Sequence, residues 1–279
     1  MSMPLTLRYG LKFQPFLPSV PDHALLVRPE VDTFLSRVST NVRDGGFALV
    51  AGDPGLGKSA VLRLLKARLQ SQRDVLVGSI DHPQSRIGDF YRELGDLFGV
   101  PLAPHNLWGG FRALRQRWAD HMATTLTRPV LIIDEAQEMQ SSVFAELRLL
   151  TSKDFDANAL LCVIFAGDAR LLHRLRQPEL APLDSRIRRR LLLEPASPDD
   201  LRQCLDHLLD SAGNSALMTD SVKSALADSA AGNYRVLMHM ADELLSAAAE
   251  RELSHIDDKL YFDTFTPRVA PSKRAGRSR

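Results

Sequence analysis

Only two of the 279 residues are cysteine, Cys162 and Cys204, and no CxxC spacing relates them. A disulfide framework and a cysteine-held metal are therefore not expected, and a reducing compartment, the cytoplasm, is. Long apolar runs are missing too. No stretch reaches the roughly 20 residues that a membrane-spanning helix needs, and nothing near Met1 resembles a signal peptide. The chain is thus expected to engage no membrane. Aromatics are scarce at 6%, while leucine and alanine are abundant, which leans toward helix. Neither sign of charge dominates, and a net charge of +1 points to no particular partner. The uneven stretch is the C-terminus, where Arg268, Lys273, Arg274, Arg277 and Arg279 occur without an acid. Without those five positive charges the rest of the chain is acidic, at −4. Residues 268–279 have little to bury and are expected to form a disordered basic tail. Apolar content of 44% suits a soluble protein with a substantial core, in one large domain or two.

What is present centres on Gly52-Asp53-Pro54-Gly55-Leu56-Gly57-Lys58-Ser59. This G-x-x-x-x-G-K-S string follows an apolar run of strand length, Phe47 to Ala51, and precedes an amphipathic stretch, Ala60 to Leu69. Strand, loop and helix in that order are the context in which the string binds nucleotide phosphate. Gly52, Gly55 and Gly57 let the backbone wrap an anion, with amides and a helix N-terminus facing it. Lys58 is expected to reach the β- and γ-phosphates of ATP, and the Ser59 hydroxyl to ligate Mg2+. The predicted nucleotide-binding set is Gly52, Asp53, Pro54, Gly55, Leu56, Gly57, Lys58, Ser59 and Ala60.

Residues 1–22, with Pro4, Pro15, Pro18 and Pro21, read as an extended arm packed by Tyr9, Phe13 and Phe16. A helix is expected from Pro29, and the loop Asp44-Gly45-Gly46 leads into the first strand. Further strands are expected at Asp74 to Ile80, Val130 to Ile133 and Ala159 to Ala166, with a short one at Leu191-Leu192-Leu193. Helical apolar spacing lies between them, and a basic turn precedes the short strand. Alternating strands and helices imply an α/β domain over residues 23–195, with a mainly parallel sheet covered by helices on both faces. From residue 196 to about 267 the signals are only helical, a small second domain capped in part by Thr219 and Asp220.

The strand Val130 to Ile133 runs into Asp134-Glu135. In an open α/β sheet, acids there share the strand-end edge with the phosphate loop. Asp134 is expected to hold the Mg2+ shell through water. Glu135 is expected to act as base toward the attacking water, making the chain a Mg2+-dependent ATP hydrolase.

Over about residues 20–265 the chain resembles the AAA+ ATPases, by the phosphate loop and Asp134-Glu135 together with three further stretches. Gly167-Asp168 matches the first sensor, which implies that Asp168 faces the γ-phosphate or the water. Asparagine or threonine is more usual at that position. Leu183-Asp184-Ser185-Arg186-Ile187 resembles the segment carrying an arginine finger, so the resemblance implies Arg186 acts on a neighbour's nucleotide. Arg188, Arg189 and Arg190 are alternatives. Gly232-Asn233-Tyr234-Arg235 looks like the second sensor, implying that Arg235 reaches phosphate. Leu25-Leu26-Val27-Arg28-Pro29 resembles the adenine-side element, with Leu26 and Val27 at the base.

Within AAA+, Tyr9-Gly10-Leu11, Pro15-Phe16, Asp134-Glu135-Ala136-Gln137, Glu146 to Leu150 and Ala166-Gly167-Asp168 resemble two branches. These are the bacterial transposition regulators of the TniB/TnsC and Mu B kind, and the ATPase domain of ExeA-type secretion proteins. The first implies ATP-dependent self-association into a ring or helical oligomer on DNA, with a transposase as partner. The second implies a secretion-assembly ATPase. ExeA-type proteins carry a membrane segment and a wall-binding region, neither of which is expected from this sequence, so the transposition branch is the leading expectation. A nucleotide-gated scaffold with negligible hydrolysis is a third reading, opposed by Glu135. DNA contacts are expected from Arg86, Arg112, Arg115 and Lys153, through phosphate and largely without regard to sequence.

Overall fold

The computed structural model describes residues 4–81, 83–102 and 106–265. The basic tail lies outside the described residues. In chain order the elements are α1 (Leu5–Arg8), α2 (Pro29–Asn41), β1 (Gly46–Ala51), α3 (Lys58–Gln70) and β2 (Val75–Ile80). Then come α4 (Ile87–Phe98), α5 (Leu107–Thr124), β3 (Arg128–Ile133), α6 (Ser141–Thr151), and a two-stranded hairpin of β4 (Ser152–Lys153) and β5 (Asn158–Ala159). The chain continues through β6 (Cys162–Gly167), α7 (Ala169–Leu175), α8 (Ala181–Asp184) and β7 (Ile187–Leu192). It finishes with α9 (Pro198–Ala212), α10 (Asp220–Ser229), α11 (Tyr234–Glu250) and α12 (Asp258–Phe265).

The chain divides into two compact units. One is Leu25–Pro195; the other joins the residues before Leu25 to those from Ala196 onward. In the first, a parallel sheet runs β2-β3-β6-β1-β7. Side chains alternate across its plane because successive residues of a strand face opposite ways. Phe47, Leu49, Leu131, Ile133, Val163 and Phe165 pack with α4, α5, α6, α7 and α8 on one face. Ala48, Val50, Val130, Ile132, Ile164 and Ala166 pack with α2 and α3 on the other. Burial on both faces explains why β1, β3 and β6 read as unbroken apolar runs. The parallel pairing places the C-terminus of every strand of this sheet on one edge.

β7 departs from the expected short strand. It begins at Ile187 and takes in Arg188, Arg189 and Arg190, which the sequence placed in a turn. Phe47 pairs with Ile187 but Ala48 with Arg189, so Arg188 is an inserted bulge residue. The bulge lets Ile187 join one core and Leu191 the other. β7 is an edge strand, so its arginines find room at the solvent side.

The second unit is helical. The Ser197 and Asp200 side chains form a capping box at the start of α9, Thr219 caps α10 and Asn233 caps α11. The N-terminal segment is integrated here rather than simply extended: residues 5–8 are helical, and Tyr9, Leu11 and Phe16 are buried in this core. Lys12 N donates to Ala212 O, and the Gln14 amide donates to Asp242. Among the described residues no helix is long and apolar enough to cross a membrane.

Candidate nucleotide site

The loop after β1 leaves the sheet between two neighbours. Gly52 N donates to Gly167 O of β6 at 3.2 Å, and Leu193 N donates to Ala51 O at 2.7 Å. A Cβ on Gly52 would stand 2.8 Å from Leu193 Cβ and 2.9 Å from its carbonyl oxygen, so only glycine fits. Gly55 and Gly57 have φ of +88° and +97°, a left-handed backbone that side chains disfavour. The chain then turns directly into α3, whose first residue is Lys58. Its amine folds back to donate to Gly52 O at 2.7 Å and Asp53 O at 3.2 Å, and the residue is only 8% exposed. A buried cation bonded to backbone carbonyls, beside the unpaired first amides of a helix, is a receptor for an anion.

Asp134 continues β3, its N–H donating to Ile80 O at 3.0 Å. Burial raises its carboxyl above the usual range, and the nearby Glu135 and Asp81 charges add to that; the Glu135 N–H and Lys58 offset it in part. A divalent cation is the counterion that would relieve this crowding of acids. With the exposed Ser59 hydroxyl in the first turn of α3, the donor set fits a magnesium nucleotide. When bound, the metal would neutralise charge developing on the β- and γ-phosphates.

Glu135 is exposed and has φ +49°, a conformation that costs a non-glycine residue of order 1–3 kcal/mol. Several groups hold the turn that follows. Gln137 is 6% exposed; its amide nitrogen donates to Glu135 Oε2, and its Oε1 accepts from Asp168 N at 3.3 Å. Arg174 Nη1 donates to Gln137 O and Met139 O, each at 2.6 Å. Arg170 bridges Glu138 and Asp168, both at 2.9 Å. Asp168 itself caps α7 through Arg170 N. Burial alone would raise its carboxyl, but the Arg170 hydrogen bonds and the Arg170 and Lys58 charges hold it below the usual range.

Glu135, Gln137 and Asp168 thus form a chain of hydrogen bonds, and the Lys58 charge acts on both Asp134 and Asp168. Arg186 precedes Ile187, whose strand partner Phe47 is near the start of β1, opposite the loop end. Arg186 donates to Asp156 and to Pro182 O. Arg190 pairs with Asp184 at 2.9 Å, Arg189 reaches Asn41 at 3.4 Å, and Arg188 is exposed. Leu26 is half-buried and Val27 exposed in the segment before α2. Arg235 is exposed in the first turn of α11, within the helical unit. Of the expected DNA contacts, Arg86, Arg112 and Lys153 are exposed. Arg115 is committed to Leu149 O and Leu150 O at 2.9 and 3.1 Å, and to Ser152 O, closing the end of α6.

Gln137, Arg170 and Arg174 have no counterpart among the expected site residues. Gln137 could have been suspected from its place in Asp134-Glu135-Ala136-Gln137. The two arginines look like ordinary solvated charges on α7, with no sequence signal to mark them.

Residues 41–175 match the model of a family described as AAA domain. General secretion pathway protein A of Aeromonas hydrophila is 30% identical over 248 residues, covering 87% of this chain and 44% of that protein. ATP-dependent target DNA activator B of Escherichia phage Mu is 26% identical over 197 residues, covering 66% of this chain and 59% of the other. The chain therefore spans about half the length of these relatives. Among solved structures, the ORC2 protein of Aeropyrum pernix matches with a TM-score of 0.69 at 15% identity, over 90% of this chain and 70% of that one. At that identity the likeness is one of fold.

Proposed function

Residues 41–175 form an AAA domain, and from that premise we propose that the chain is a magnesium-dependent ATP hydrolase whose ATP-bound form self-associates on DNA and regulates a transposase. The observation that carries the hydrolase reading is the convergence of Lys58, Asp134 and Glu135 at the C-terminal edge of one sheet. The loop amides and Lys58 bind the β- and γ-phosphates, while Ser59 and, through water, Asp134 hold the metal. Glu135, exposed and next to Asp134, would accept the proton of the attacking water.

Self-association is supported by Arg186, taken as the arginine finger. Its own phosphate loop lies about 16 Å away along β1, taking 3.3 Å per residue, which is the placement expected of an arginine that acts on a second copy's nucleotide. DNA as partner is supported by the similarity to a protein named for ATP-dependent activation of target DNA, and by exposed Arg86 and Arg112. Action in the cytoplasm is part of the same reading.

A second reading, a secretion-assembly ATPase, is favoured by the higher identity and wider coverage of the secretion protein A relative. The discriminating experiment measures hydrolysis with and without duplex DNA, in wild type and Glu135→Gln. Stimulation of wild type by DNA, with nucleotide binding but only a small residual turnover in Glu135→Gln, is expected. Turnover indifferent to DNA would shift the reading to secretion, and wild-type turnover in Glu135→Gln would remove Glu135 as base.

A further inference from the structure

We propose that Gln137 is a positioning residue that fixes the Glu135 carboxylate for water activation and ties it to the backbone at the end of β6. The inference rests on the reading of Glu135 as base. Its geometry leaves the amide one orientation. A backbone N–H can only donate, so the Asp168 N–H, 3.3 Å away, requires Gln137 Oε1 on its side. The amide nitrogen is then left facing Glu135 Oε2, an acceptor that a carboxylate supplies. Each end of the side chain thus meets a complementary group.

The support beneath Gln137 is equally defined. Its carbonyl accepts from Arg174 Nη1, as does that of Met139, so the short turn after Glu135 is clamped from α7. Gly167 has no room for a Cβ, because one would stand 2.6 Å from Gln137 Oε1 and 2.7 Å from Leu171 Cδ2. Gln137 is 6% exposed in a chain whose other buried polar or charged residues, among those described, are Lys58, Thr151 and Lys223. Burying an amide is costly without partners, and here both partners are in the catalytic neighbourhood.

Glu135 is exposed and in a left-handed conformation, so it has little packing of its own. The hydrogen bond from Gln137 removes freedom from its side chain. It also leaves the second carboxylate oxygen, Oε1, to accept a proton from water. Through Asp168 N the same amide senses the end of β6. A shift of Gly167–Asp168 when the γ-phosphate is present would be passed to Glu135 by one side chain.

The test uses Gln137→Met, which keeps volume and loses both hydrogen bonds, and Gln137→Glu, which keeps an acceptor for Asp168 N but sets a carboxylate against Glu135. Turnover at saturating ATP, affinity for a non-hydrolysable ATP analogue with magnesium, and melting temperature are measured for each. Both variants should lose about 10- to 100-fold in turnover, as supporting-shell changes do, with analogue affinity held within about threefold. In the Glu135→Gln background, Gln137→Met should cause no further loss, because it acts only through Glu135. Wild-type turnover in Gln137→Glu, a multiplicative loss in the double variant, or a fall in analogue affinity matching that in turnover would each overturn the proposal. Failure of both Gln137 variants to fold would make it a structural residue and overturn it as well. Wild-type turnover in Glu135→Gln would instead remove the reading on which the inference rests.

Discussion

Phe47 pairs with Ile187 at one end of β1, while Gly52 begins the phosphate loop at the other. The parallel register therefore holds Arg186 and the phosphate loop of one copy at opposite edges of one sheet. A mixture of Arg186→Ala with Lys58→Ala should recover part of the hydrolysis that each lacks alone, because one supplies an intact nucleotide site and the other an intact arginine. Wild-type activity should rise more than linearly with protein concentration. No recovery in mixtures shown to co-assemble would exclude Arg186 as the trans-acting group and direct the test to exposed Arg188.

Asp156 holds Arg186 in the isolated chain, and the Arg186 hydrogen bond is the leading cause that lowers the Asp156 carboxyl. To reach a neighbour's phosphate, Arg186 must leave it. Asp156→Asn should lower the protein concentration for half-maximal activity by about two- to fivefold, the range of an exposed ion pair. A rise in that concentration would mean that Asp156 helps present the arginine instead.

Lys58 is the buried cation of the loop. With ATP and magnesium at 100 times the dissociation constant, binding stabilises the wild type by about 2.7 kcal/mol. Lys58→Ala should show none of that gain in a thermal melt, because its phosphate contact is lost. An undiminished ligand shift in Lys58→Ala would contradict the assignment of the loop.

Gly52→Ala tests the loop in another way. The added methyl meets Leu193 Cβ and backbone at under 3 Å, so β1 and β7 must separate. A loss of about 1–3 kcal/mol of stability is expected from such overpacking, together with weaker nucleotide binding. Unchanged melting and binding would show that the loop accommodates the methyl.

How much of this was legible beforehand varies with how local the physics is. Gly52 to Ser59 and Asp134-Glu135 announce themselves because strand, tight turn and helix each leave a contiguous pattern. The parallel sheet follows for the same reason, its inner strands being apolar on both faces. The late start expected for β7 reflects its arginines, which break the apolar run; an edge strand tolerates them, but edge position is a property of the assembled sheet. The hairpin of β4 and β5 is too short to show a period. Gln137, Arg170 and Arg174 leave no sequence signal as a group because their hydrogen bonds join the turn after β3 to α7, more than 30 residues on. The hydrogen bonds of Arg115 are hidden from the sequence for a related reason: its acceptors belong to the distant end of α6.

The most direct measurement is duplex binding at two salt concentrations, with a non-hydrolysable ATP analogue, with ADP and with no nucleotide. A shared ATP switch predicts tight binding only with the analogue, because assembly multiplies the few exposed cations of each copy into an array along the backbone. That binding should weaken steeply as salt rises and show little sequence preference. Weak binding that is the same in all three nucleotide states would contradict a DNA-assembling ATPase.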